Sequence, residues 1–316
     1  MATPQRHLSP AEHRQIASES HLLVLDGLAS KTSWSVEDVV FQGGTSLALA
    51  WNSPRFSEDL DFVARNDLNL SEAMQTIGQH VQEKLSETYP GALVEVKEKG
   101  EGQNSNFMIA VSLPNVLGKV KIKTEFWKVD SEHIQSYDGS IKEVAARGNI
   151  TPTVPVASPD QIFADKMVAL GARPRLKWRD VFDLWYLDGI GHANVAQDPQ
   201  QFLTYFENTL AMYNTAPNEV KQKWQELLNT PNEELAQLAS RDLQPWISQQ
   251  LWETLEGEKV EQMVANLKTK IGEALSVFPP EEYTHMTSEQ FKQRVKEKRA
   301  QQTNAVPPTG SHLNLQ

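Results

Sequence analysis

Asp59 and Asp61 stand two apart in a run, Phe56 to Val63, whose alternation puts them with Ser57 on one face of a β-strand. Two carboxylates so placed repel each other unless a hard cation lies between them. Mg²⁺ or Mn²⁺ suits such a site, because it binds through one or two carboxylates together with substrate phosphates. Two such ions about 3.5–4 Å apart stabilise both the attacking and the leaving oxygen of an in-line displacement. Just upstream, Gly43-Gly44-Thr45-Ser46 lets the backbone turn sharply into a helix, and a helix N-terminus led by glycines offers free N–H groups to a phosphate. A lone Asp-x-Asp reads as the solvated face of an edge strand. Joined to the glycine turn, it reads as a metal-dependent nucleotidyl-transfer site.

The elements that must position these groups are legible around them. Asp38 to Phe41 is a buried strand, Thr45 to Trp51 a short helix ended by Asn52-Ser53-Pro54, and Phe56, Leu60 and Phe62 fall on or near the buried face of the acidic strand. Ser9-Pro10-Ala11-Glu12 opens an N-terminal helix, with Ser9 as N-cap and Pro10 in the first turn. Ser71 to Tyr89 is a second helix ended by Pro90-Gly91. Leu93 to Lys97, Phe107 to Leu113 and Val120 to Trp127 are strands, and Lys97 to Asn106 is a polar hairpin loop. Residues 128 to 157, with Pro152 and Pro155, read as a loop-rich connection.

Two further segments carry charge toward the same region. In Val120 to Trp127, Val120, Ile122, Thr124 and Phe126 share one face, and Lys119, Lys121, Lys123 and Glu125 share the other. Ser158-Pro159-Asp160-Gln161 then caps a helix running to about Ala172, on which Lys166 lies four residues from both Ile162 and Leu170 and points to the packed side. A lysine there requires an anion. That anion is either a bound triphosphate or one of Asp180 and Asp183, which share a face of the following helix. Trp178, Trp185 and Tyr186 read as interhelical packing.

Four blocks resemble the nucleotidyltransferase superfamily that includes DNA polymerase β, and more narrowly the AbiEii/AbiGii-type toxins of abortive-infection and toxin–antitoxin loci. They are Gly43-Gly44-Thr45-Ser46-Leu47, Arg55-Phe56-Ser57-Glu58-Asp59-Leu60-Asp61-Phe62, Asp165-Lys166-x-x-Ala169-Leu170 and Arg179-Asp180-x-x-Asp183-Leu184-Trp185. The resemblance covers about residues 35 to 190. It implies an α+β (mixed α/β) fold, with a nucleotidyltransferase core over 1–157 followed by a helical domain over 158–302; a disordered tail over 303–316 is expected from the composition of that segment. It implies metal ligands at Asp59 and Asp61, with Glu125 standing where a third carboxylate is expected; the residues alone equally allow Glu125 to be paired with lysines on a solvated face. Nucleotide binding falls to Gly43, Gly44, Thr45, Ser46, Ser57 and Lys166. Asp180 is expected to assist the acceptor hydroxyl or to orient Lys166, with Asp183 behind it.

The activity so implied is Mg²⁺-dependent transfer of a nucleoside monophosphate from an NTP to RNA, foremost the tRNA 3′ end, by a toxin or phage-defence protein held by a cognate antitoxin, often a winged-helix DNA-binding protein. Protein or small-molecule acceptors, or a catalytically silent nucleotide-binding module, are the alternatives. A degenerate site sheds its costly clustered charges first, and here Ser57, Asp59, Asp61, Lys166 and Asp180 are all present.

Composition bounds these readings. The chain has 316 residues, 39% of them hydrophobic, which is ample for a large core. Cysteine is absent, which removes disulfides and thiolate metal sites; the histidines show no zinc-type pair. Neither a Gly-x-Ser-x-Gly turn nor a Walker-type phosphate loop is present. No apolar run approaches the ~20 residues of a membrane span, and Met1 to Arg14 lacks the apolar core of a signal peptide, so a cytoplasmic location is expected. A formal charge of −11 means that any nucleic-acid contact must rest on a local basic patch. Beyond Gln200 the chain reads as helices, with segments at Pro199 to Tyr213, Pro217 to Leu228, Pro231 to Ala239, Pro245 to Glu256, Lys259 to Leu275 and Ser288 to Gln302.

Overall fold

The computed structural model describes residues 6–100, 102–145, 150–192, 195–278, 283 and 285–305. One seven-stranded mixed sheet carries the N-terminal half, in the order β3-β4-β5-β2-β1-β7-β6. The strands are β1 Val39–Gln42, β2 Asp59–Arg65, β3 Leu93–Lys99, β4 Asn104–Ser112, β5 Val120–Val129, β6 Gly139–Glu143 and β7 Thr153–Ala157. β2 runs parallel to β5, and β1 parallel to β7; the other neighbours are antiparallel.

Alternation along the strands divides the core. Phe41, Leu60, Phe62, Phe107, Ile122 and Phe126 point to one face, where α1 (Pro10–Lys31) and α3 (Leu70–Thr88) close over them. Phe62 stacks on Phe126 with centroids 4.9 Å apart. Burial of such rings is the main stabilising term on this face. The opposite face contributes Val40, Val63 and Val129 to a second cluster, formed with α5 (Pro159–Ala172), α6 (Trp178–Gly189), α7 (Pro199–Met212) and α8 (Pro217–Asn229). Helices Asn232–Asp242, Gln249–Leu255 and Glu258–Ser276 extend it, and Ser288–Ala305 packs on α7.

The expected caps form. Ser9 and Glu12 make a reciprocal capping box, and Ser158 accepts from the Gln161 N–H. Trp178 is buried and donates to the Leu235 carbonyl, while Trp185 and Tyr186 pack against the same cluster.

Several expectations are corrected. Residues 128–157 hold the short helix Ser131–Gln135 and two strands, β6 and β7, rather than a loop alone. Pro155 sits inside β7, where Val156 takes the register with Phe41 of β1. The loop expected over Lys97 to Asn106 is shorter, because β3 and β4 extend into it from both sides. β2 begins at Asp59, so Phe56 lies outside the strand and is 43% exposed instead of buried. The Pro245 to Glu256 segment divides into a 3₁₀ turn, Gln244–Trp246, and a separate helix. The last helix continues to Ala305, past the expected start of the tail at 303; the remainder of that tail lies outside the described residues. No helix among the described residues is long and apolar enough to cross a membrane.

Candidate active site

β1 passes directly into α2 (Gly43–Ala50). The join needs glycine twice. Gly43 has φ +79°, in the left-handed region, and a Cβ there would stand 2.8 Å from Asp61 Oδ2. At Gly44 a Cβ would collide with the Arg55 guanidinium. The hydroxyls of Thr45 and Ser46 are spent within the turn: Thr45 donates to the Asp59 carbonyl, and Ser46 donates to the Gly43 carbonyl at 2.9 Å. Both side chains are buried, and neither lines the adjoining cavity. Gly43→Ala should therefore cost about 1–2 kcal/mol of stability through backbone strain. Because Asp61 must also give way, it should lower kcat/KM for NTP at least tenfold. Thermal melting and single-turnover labelling measure the two effects; unchanged values in both would contradict the close approach.

Strand register assembles the acidic side. Gln42, Asp61, Glu125 and Asn106 fall in one row across β1, β2, β5 and β4, and Asp59 pairs with Lys123 in the next row. Lys123 Nζ lies 2.8 Å from Glu125 Oε1. Burial, then the like charges of Glu125 and Asp59, push the Asp61 carboxyl up to about 6. Asp59 is also raised, by burial, against the pull of Lys123. A cation would relieve this repulsion, so the donor set suits a hard divalent ion. Among the described residues no group of three or more His, Cys, Asp or Glu side chains is arranged to hold a metal by itself. An ion sharing one or two carboxylates with substrate phosphates needs no such cage.

The raised carboxyl has a consequence for stability. Asp61 is protonated more readily folded than unfolded, so its contribution is greatest at low pH and is lost as pH rises from about 4 to about 6. The metal-free protein should lose roughly 2–3 kcal/mol over that window relative to Asp61→Asn. Urea titrations of both proteins between pH 4 and 7 test this; parallel curves would contradict it.

The helical side is basic and tightly tied. Lys166 on α5 lies 2.8 Å from Asp180 Oδ1 and 2.8 Å from Asp183 Oδ2. Arg55 donates Nε and Nη2 to Asp183 at 2.5 and 2.7 Å, and Arg173 pairs with the second oxygen of Asp180. Burial alone would raise the Asp180 carboxyl, but Lys166, Arg173 and Arg55 overcome it and hold it below the usual range. Both Asp180 oxygens are thus engaged by cations. Beside this chain, Asp165 accepts from Tyr137, from Thr209 Oγ1 at 2.7 Å and from Gln161 Nε2 at 3.0 Å, which ties α5 to α7.

The two sides enclose one cavity of about 420 Å³. Gly43, Gly44, Ser57, Asp59, Asp61 and Glu125 line one wall, and Lys166, Arg173, Arg179 and Asp180 the other. Of the residues singled out by sequence, the structure brings these together; Thr45, Ser46 and Asp183 stand behind them, and Lys121 lies outside. Arg55, Arg173 and Arg179 were not singled out, although Arg55 and Arg179 open the second and fourth blocks quoted above.

A model of the family described as nucleotidyl transferase AbiEii toxin, type IV toxin–antitoxin system, matches residues 29–270. The chain belongs to the AbiEii nucleotidyltransferase toxin family. Membership makes it a nucleotidyltransferase, and implies an NTP substrate, a divalent metal and a cognate antitoxin. Among solved structures, the nucleotidyltransferase toxin MenT4 of Mycobacterium tuberculosis is similar in fold, with TM-score 0.53 and 17% identity over 91% of this chain and 95% of that one. JHP933 of Helicobacter pylori matches with TM-score 0.48 and 16% identity, over 94% of this chain and 98% of that one. No curated protein matches the sequence. The glycine turn, the acidic strand and the α5 and α6 blocks of this AbiEii-family chain all fall within the matched span.

Proposed function

We propose that this AbiEii-family protein transfers a nucleoside monophosphate from an NTP to an RNA 3′ end, foremost that of tRNA, with Mg²⁺. The observation that carries the reading is the two-walled cavity, which sets carboxylates opposite Lys166, Arg173 and Arg179 across a space that a triphosphate would bridge. Asp59 and Asp61, together with the substrate phosphates, would hold Mg²⁺, which when bound offsets charge on the phosphates and on the attacking oxygen, while Glu125 stands in the row of Asp61, paired with Lys123. The N–H groups at the start of α2, with Ser57, bind phosphate oxygens. Lys166, held in place by Asp180 and Asp183, faces the leaving pyrophosphate as a point charge, and Arg173 and Arg179 add to it. The acceptor hydroxyl gives up its proton to solvent and its oxygen bonds to the α-phosphorus as the α–β anhydride breaks and pyrophosphate leaves.

The RNA acceptor is supported by Lys121 and Lys123, which continue the Glu125 face of β5 away from the cavity. In a chain of net charge −11, phosphate contacts must be concentrated locally. Replacing Lys121 by glutamate should cut RNA labelling at least tenfold at low salt, with the difference from wild type narrowing as salt rises, while NTP binding without RNA changes by less than about threefold. Total RNA and total protein incubated with each labelled NTP test the reading. Label only in protein would overturn it.

A further inference from the structure

A groove of about 1400 Å³ opens from the active-site cavity and shares Arg55, Ser57, Glu58 and Asp59 with it. Lys119, Lys121 and Lys123 line one bank, from alternate positions of β5 and its approach; α1 forms the other with Arg14, and the 3₁₀ turn at Trp246 closes the end. Lys119 is paired with Glu95 and Lys123 with Glu125, whereas Lys121 and Arg14 have no carboxylate partner among the described residues. At the groove's edge Phe56 is 43% exposed, with the Arg14 guanidinium 5.9 Å from its ring centroid. The backbone that carries the ring is held in position, because the Phe56 N–H donates to the Trp246 carbonyl at 2.7 Å and the Arg55 guanidinium donates to the Phe56 carbonyl at 2.9 Å.

An exposed ring on a pinned backbone, three residues before a carboxylate of the cavity and flanked by unpaired cations, has the two components of a single-strand binding track. A basic bank follows the phosphates, and an aromatic face stacks a base. We infer that this groove guides a single-stranded 3′ end of the acceptor to the active site, with one base stacked on Phe56 and phosphates on Lys121 and Arg14. Three extended residues span about 10 Å, so the stacked base lies close to the reacting terminus. In a duplex every base except the terminal pair is covered on both faces, so the ring can stack a base set back from the 3′ terminus only when that end is unpaired, and the groove favours an overhang over a blunt end. This rests on the RNA reading given above.

The test uses the full chain, labelled NTP and two synthetic RNA hairpins, one with a single-stranded 3′ overhang and one blunt. Wild type is expected to label the overhang in preference to the blunt end. Phe56→Ala should raise KM for the overhang RNA roughly tenfold, the worth of one base–aromatic stack, while KM for NTP stays within about twofold. Phe56→Trp should restore the RNA KM, which a merely structural role of the ring would not produce. Overhang and blunt RNA labelled equally, or an unchanged RNA KM in Phe56→Ala, would overturn the groove assignment while leaving the RNA reading intact. Label in protein alone would overturn both. Loss of antitoxin binding in Phe56→Ala with its RNA KM unchanged would give the groove to a protein partner instead.

Discussion

Asp59→Ala is expected to lose nucleotide transfer by at least a factor of about 10²–10³, the usual effect of removing one group that stabilises transition-state charge. The residue begins β2, at the cavity face, with Lys123 as its register partner, and its side chain closes no part of either hydrophobic cluster. The variant should fold, and its melting temperature should stay within a few degrees of wild type. Expressed alone in a bacterium, it should be harmless at an abundance at which the wild-type chain slows growth. A folded Asp59→Ala protein with wild-type labelling would remove this carboxylate from the chemistry.

Arg55→Met is expected to produce the largest loss of stability. Arg55 is 3% exposed, and its guanidinium makes paired hydrogen bonds to Asp183 and fills the space beside Gly44. Its removal leaves Asp183, which is completely buried, with Lys166 as its remaining cation. Breaking one side of a buried pair costs about 3–5 kcal/mol, a large share of the roughly 5–15 kcal/mol that holds a typical domain folded. Removing the stranded charge as well, in Arg55→Met/Asp183→Leu, should recover part of the loss, and the double-mutant cycle isolates the coupling. Equilibrium denaturation in urea decides the matter; a change under about 1 kcal/mol in the single variant would show that the pair does not hold α6 to the site.

What the sequence revealed followed from local periodicity. Strand alternation placed Asp59, Asp61 and Glu125 on faces that later proved to share one cavity, and helical spacing turned Lys166 inward toward two aspartates one helix away. The capped starts of α1 and α5 were legible from their Ser-Pro openings, and the fold class followed from the resemblance that the four blocks carry. Missing was whatever depends on distant chain segments. The Arg55–Asp183 pair joins residues far apart in sequence, and nothing local distinguishes Arg55 from a surface arginine. β7 is short and contains Pro155, so composition favoured a loop, while tertiary pairing with β1 and β6 decided otherwise. The hydroxyls of Thr45 and Ser46 looked equally suited to phosphate until the fold set the Asp59 and Gly43 carbonyls against them. Phe56 was placed in the core by counting strand alternation back from Leu60, but the strand starts only at Asp59.

The central claim is that the cavity between the carboxylate row and the Lys166 wall moves a nucleotidyl group onto RNA. The most direct measurement supplies the same NTP labelled in turn at the α- and the γ-phosphate, with RNA as acceptor. The account predicts that α-label enters RNA and γ-label leaves as pyrophosphate, one released for each nucleotide added. γ-label in the acceptor, or pyrophosphate released with no α-label in RNA, would contradict it.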